Sequence, residues 1–140
     1  MSVRNIDQGF YSVSSANPPN MLKSIQLGMG ATDGSLTLDE TTQVFQNNQQ
    51  ITLIIPPYSH TFTGGGSVQI SLPPELSIET SNKIYNFPVI ITIGSTNSVA
   101  LLILNISSGL INIYADINQS LFTPGLVGWS SPISITYILN

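Results

Sequence analysis

FPVIITI (Phe87–Ile93), SVALLIL (Ser98–Leu104) and LINIYA (Leu110–Ala115) stand almost back to back near the middle of the C-terminal half of this chain. Each run is rich in β-branched and aliphatic residues, and each is bounded by turn residues, Ser95-Thr96-Asn97 and Ser107-Ser108-Gly109. That pattern predicts consecutive strands joined by hairpins, with no helical period of 3.6. In SVALLIL, Val99, Leu101 and Ile103 point one way, and Ala100, Leu102 and Leu104 the other. Both faces therefore want cover. In a two-sheet sandwich only one face of each strand meets the core. The other must meet a neighbouring subunit, be covered by a curved sheet or loop of the same chain, or stay as an exposed apolar patch. On this reading Val99, Leu101 and Ile103, joined by Tyr137, lie at an oligomer interface.

The same signals extend in both directions. ISITYIL (Ile133–Leu139) is a one-sided terminal strand, with Ile133, Ile135, Tyr137 and Leu139 on one face and Ser134 and Thr136 on the other. Upstream, Ser35–Asp39 alternates, Ile51–Ile55 stops at Pro56-Pro57, Tyr58–Thr63 alternates again, and Ser67–Leu72 runs from Gly64-Gly65-Gly66 to Pro73-Pro74. Proline cannot donate to a ladder and closes such strands. Glu75–Tyr85 reads as a loop with at most one helical turn, and Asp116–Ser131 as a long loop. The sum is an all-β, antiparallel sandwich or barrel of about eight to ten strands with regularly spaced turns. It is expected over residues 35–140, behind an extended arm or connector of residues 1–34. Phe10–Val13 and Ile25–Leu27 are the only short strands expected in that arm.

Composition removes several function classes. Charged residues are 7% of the chain, with net charge −4, against about 25% in an ordinary soluble domain. Asn, Gln, Ser and Thr make up 51 of 140 residues. A surface of amides and hydroxyls responds little to salt or pH, which suits particles and secreted appendages. The side-chain cations are Arg4, Lys23 and Lys83, too few and too scattered to neutralise phosphates, so no nucleic acid is expected as a partner. A polybasic membrane patch is absent for the same reason. No apolar run approaches the ~18 residues that span a bilayer, so no membrane insertion is expected. The first ten residues lack the charged and apolar regions of a signal peptide. There is no Cys, hence no disulfide framework, thiolate or Cys-based zinc site.

The residues that carry chemistry elsewhere read mostly as structural here. His60, the single histidine, lies in an expected strand; an enzyme would need it in a cleft with a carboxylate in reach, and no G-x-S-x-G elbow is present. No further ligands stand at metal spacing around it. Gly28–Gly34 has the spacing G-x-G-x-x-x-G with no helix after it, and Gly64–Gly66 is followed by no Lys-Ser/Thr; both read as turns. Asp39-Glu40 reads as a solvated strand end, and Glu75 and Glu79 as neighbours on one helical turn. Asp33 and Asp116 fall short of the six to eight oxygens that Ca²⁺ takes. No cofactor, no metal and no catalytic residue is expected. Asn105-Ile-Ser107 and Asn118-Gln-Ser120 match the N-glycosylation pattern, as chance allows in so Asn- and Ser-rich a chain. Trp129 is the single tryptophan. With Asp116 and Asn118 it could bind the face of a sugar; the alternatives are a plug at the end of the sandwich or a subunit contact.

A cysteine-free, Asn/Ser/Thr-rich β-domain ending in the apolar strand Ile133–Leu139, with the doubly apolar Val99–Leu104 inside it, resembles trimeric jelly-roll heads. These include adenovirus-type fibre knobs, the heads of phage and giant-virus fibres, and tumour necrosis factor/complement-type globular heads. The resemblance covers roughly residues 35–140. No collagen or shaft repeat precedes that region, unlike in typical fibres. The resemblance implies an antiparallel two-sheet jelly-roll sandwich that forms a homotrimer on a virion or extracellular surface, serving host attachment or capsid decoration, with a host receptor or glycan as partner. The alternative is a lectin-like β-sandwich using Trp129, Asp116 and Asn118.

Overall fold

A computed structural model of the chain describes residues 23–33, 37–78 and 81–139. They form ten strands: β1 (Lys23–Ala31), β2 (Thr37–Asn47), β3 (Gln50–Ile55), β4 (Tyr58–Phe62), β5 (Val68–Ser71), β6 (Ile84–Ile93), β7 (Thr96–Asn105), β8 (Leu110–Tyr114), β9 (Gly125–Trp129) and β10 (Ile133–Ile138). One 3₁₀ turn, Pro74–Leu76, sits between β5 and β6, starting one residue before the Glu75–Tyr85 loop, which is expected to hold at most one helical turn. Residues 1–22 of the expected arm, and Glu79, lie outside the described residues.

All pairings are antiparallel, and the strands run in the order β10-β3-β2-β1-β5-β8-β7-β6-β9-β4. The ladder is continuous. Where the sequence suggests two stacked sheets, the described residues form one ten-stranded sheet, curled into a half-barrel. The curl brings each edge strand over the opposite half. At one edge, the Tyr85 hydroxyl of β6 donates to Ile138 O of β10 at 3.4 Å, and the Tyr85 and Tyr137 rings lie 6.1 Å apart. At the other, the Tyr58 hydroxyl of β4 donates to Asp39 of β2 at 3.4 Å.

The concave face holds the core. Strict alternation supplies it: Ile51, Leu53 and Ile55 from β3, Ala100, Leu102 and Leu104 from β7, and Ile111 and Ile113 from β8 are all fully buried. Tyr137 is also inside, 2% exposed, with its hydroxyl donating to Leu76 O at 3.0 Å. That corrects its expected place at an oligomer interface. Its face of β10 turns inward, so its own chain encloses it.

Four further sequence readings change. Gly28 and Gly30 lie within β1 rather than in a turn; they flank the fully buried Met29, and the β1–β2 register shifts between Met29 and Gly30. β1 itself pairs with both β2 and β5, so Lys23–Ala31 is part of the sheet. Asp39-Glu40 lies within β2, which continues to Asn47. Thr42 occupies a core position there, its hydroxyl directed to Met29 Sδ at 3.8 Å, and so interrupts the apolar alternation. Finally, the late loop contains β9, which pairs with β4 from Gly125 to Trp129. β6 pairs with β9 at Thr92 and Ile93 alone, so Pro88 sits on a stretch with a single ladder, where a missing N–H is tolerated.

Candidate functional site

The convex face of β6, β7 and β8 is the part of the surface the sequence singled out. The register sets Val99 beside Ile90, Leu101 beside both Pro88 and Tyr114, and Ile103 beside Asn86 and Asn112. Val99 is 49% exposed and Ile90 63%, while Leu101 and Ile103 are half-buried by their neighbours. None of these convex positions carries a charge. Toward the β7–β8 turn, the same face hollows into a groove of about 480 Å³. Ile84, Ile103 and Leu110 give it apolar walls, and Asn86, Asn105, Asn112 and Gln119 give it amides, with Tyr114 and Ser108 beside them. Sequence reading missed this groove. Its signal was the alternation in Leu110-Ile-Asn-Ile-Tyr114, which puts Leu110, Asn112 and Tyr114 together on the outer face.

Trp129 takes the plug role. It is 6% exposed, its indole N–H donates to Pro56 O at 2.8 Å, and its ring tilts against Tyr58 with centroids 5.5 Å apart. Stacking on a sugar needs an open ring face, and here both the polar atom and the ring are engaged. Two clefts adjoin it. One of about 330 Å³ is lined by Asp39, Glu40, Pro57 and Tyr58; one of about 240 Å³ is lined by Thr92, Gly94, Leu126 and Gly128. Burial first, then the neighbouring Asp39, pushes the Tyr58 phenol well above its ordinary range, so it stays a hydrogen-bond donor.

Asp116 and Asn118 are not brought to Trp129. Neither lines a cleft with it. Asp116 Oδ1 accepts the backbone N–H of Asn118 at 2.9 Å and of Ser120 at 3.2 Å, closing an Asx-type turn. Hydrogen bonding by the Ser120 side chain first, then by the Ser120 and Asn118 backbone, holds its carboxyl below the usual range.

His60 does have a carboxylate in reach. Its Nε2 lies 3.1 Å from Asp33 Oδ2, an oxygen that also accepts from Thr63 N at 2.9 Å. The ring packs edge-on against Phe62, centroids 4.7 Å apart. Neither His60 nor Asp33 lines any of the clefts above or the one beside the Pro74–Leu76 turn. The pair ties β4 and the segment after β1 together. Among the described residues no group of three His, Cys, Asp or Glu side chains is placed to hold a metal ion, and no helix is long and apolar enough to cross a membrane.

The chain matches no protein-family model and no curated protein by sequence. Among solved structures it is similar to the reovirus attachment protein sigma1, determined in complex with alpha-2,3-sialyllactose. The likeness has a TM-score of 0.54 at 12% identity and covers 85% of this chain and 67% of that one. At such identity it is a likeness of fold: this chain has an all-β domain of the kind found in a viral attachment protein.

Proposed function

We propose that this chain is a non-enzymatic head of a virion-surface protein, serving attachment or capsid decoration, and that it works as a homotrimer closed through the convex face of β6 and β7. The observation that carries the reading is the charge-free outer row of Pro88, Ile90, Val99 and Leu101, set side by side by the β6–β7 register. Burying an aliphatic side chain contributes about 1.5–3 kcal/mol when complete, so half-exposed Ile90 and Val99 gain about 1 kcal/mol each on being covered. An isolated monomer would instead keep a contiguous apolar strip in water. The fold shared with a viral attachment protein supports the surface role. The threefold number comes from the resemblance to jelly-roll heads. The alternative of a lectin built on Trp129 loses its motive, because that ring is enclosed.

Light scattering coupled to size exclusion tests the reading. The expected mass is three times the 15.0 kDa of one chain. Ile90→Asp puts a charge at a 63% exposed position without entering the core, and is expected to give a folded 15.0 kDa species. A wild-type protein that is monomeric at tens of micromolar, or an Ile90→Asp protein that stays trimeric, refutes it.

A further inference from the structure

The groove at the β7–β8 end of the convex face differs from the apolar strip beside it. It is lined by amides and hydroxyls whose hydrogen-bonding ends are already sorted. Asn105 Oδ1 accepts from two backbone donors, Ser107 N at 3.0 Å and Ser108 N at 3.2 Å. A backbone N–H can only donate, so the atom facing those two is the carbonyl oxygen, and Nδ2 is left to point elsewhere. Asn112 Oδ1 accepts the Ser67 hydroxyl at 3.2 Å, and its Nδ2 is a second donor at the groove. Ser108 Oγ accepts Leu110 N at 3.3 Å, which leaves its O–H to donate. The Asn105 amide is thus oriented by two internal bonds before any ligand arrives, and Asn112 Nδ2 and the Ser108 hydroxyl add two further donors. Tyr114 adds a ring and a phenol, and Ile84 and Leu110 add apolar wall, around a volume of about 480 Å³. Small-molecule sites span about 300–1,000 Å³, with apolar walls and a few fixed polar groups.

We infer that this groove binds an uncharged glycan, its acceptor hydroxyls and ring oxygens meeting the amide donors of Asn105 and Asn112 and its C–H face lying against Tyr114. No charged side chain lines the groove, so nothing there compensates a carboxylate, and a neutral sugar is favoured over a sialylated one. The inference rests on the reading of the chain as an attachment head. It supplies the class of receptor such a head would use, at a place apart from Trp129.

The test is a glycan array carrying neutral and sialylated structures, probed with the whole chain. Asn105→Asp and Asn112→Asp keep the internal acceptor oxygen and remove the outward donor. Binding to a subset of neutral glycans is expected, with each variant weakened about tenfold, the worth of a hydrogen bond in a desolvated site. Melting temperatures within a few degrees of wild type will show that the fold is kept. Absence of neutral-glycan binding overturns the inference, as do variants that bind like wild type or a preference for sialylated glycans. Light scattering of the same wild-type sample separates the two readings. A wild-type monomer that binds neutral glycans removes the trimeric head and keeps the groove; a wild-type trimer that binds none does the reverse.

Discussion

Replacing Tyr137 by Phe removes one oxygen atom and isolates the worth of a single buried bond. Tyr137 is 2% exposed and Leu76, whose carbonyl it meets at 3.0 Å, is 1% exposed. That bond ties β10 at one end of the sheet to the 3₁₀ turn between β5 and β6. In Tyr137→Phe the ring keeps its packing, but the Leu76 carbonyl is left in the core. A net hydrogen bond contributes about 1 kcal/mol, and an orphaned buried acceptor adds a desolvation penalty, for a total of about 1–3 kcal/mol. With a urea slope of about 2 kcal/mol per molar, the midpoint should fall by roughly 1 M at fixed protomer concentration. Tyr137→Ala should cost more, about 3–5 kcal/mol, because it also empties the ring's place. The solution mass of Tyr137→Phe should match wild type, since the hydroxyl faces the chain's own interior. Burial holds the phenol well above its ordinary range, so the bond should survive to alkaline pH, with Tyr137, like Tyr58, silent in a spectrophotometric titration. A Phe variant whose midpoint is unmoved, or whose mass changes, refutes the assignment of this side chain to the core.

Two smaller perturbations probe the edge where β4 closes the curl. A Cβ at Gly128 would run into the Tyr58 carbonyl and lie 2.9 Å from Ser59 Cα, both of them backbone, so Gly128→Ala must push β4 off β9. The expected loss is about 1–3 kcal/mol, with a red shift of Trp129 emission as its pocket opens; unchanged melting and emission would contradict the close approach. The Asp33 carboxyl is held below the usual carboxylate range, first by the Thr63 backbone N–H and then by His60. A depressed carboxyl stabilises the fold above its unfolded pKa, and that stabilisation is lost as pH falls through the folded value. The stability gap between wild type and Asp33→Asn should therefore be level above about pH 4 and shrink below it; a gap that widens toward acid would show that the sign is wrong.

What the residues disclosed and what they hid follow one physical rule. Period-2 alternation survives only where core positions are apolar, and there it was legible: Ile51–Ile55, Ser98–Leu104 and Ile133–Leu139 all became strands. β2 beyond Asp39 was hidden because Thr42, a polar residue, fills a core position and spends its hydroxyl on Met29. β9 was hidden because two of its five residues are glycine. Gly128 is there for the proximity of Tyr58 and Ser59, a contact between residues 70 positions apart that no local pattern records. Trp129, Asp116 and Asn118 were grouped by proximity in sequence. The strand that intervenes, β9, carries the tryptophan to β4 and leaves the two others in their own turn.

The two faces of β7 explain why an outward apolar set was foreseeable and the groove was not. Ala100, Leu102 and Leu104 are fully buried in the chain's own core, so the outward apolar set is surplus to folding. A surplus of this kind is visible in one dimension, since both parities of a single strand are apolar. What lies beside it depends on register. β6 supplies Pro88 and Ile90 next to Leu101 and Val99, extending an apolar strip, whereas β8 supplies Asn112 next to Ile103 and Leu110 next to Asn105, mixing amides into it. One face thus changes character along its length. The end near Ile90 offers only area, which suits a copy of the same chain, and the end near Asn105 offers fixed donors, which suit a ligand rich in hydroxyls. The two lie at opposite ends of the β6–β7 hairpin, so the proposed closure on the first would not need to cover the second.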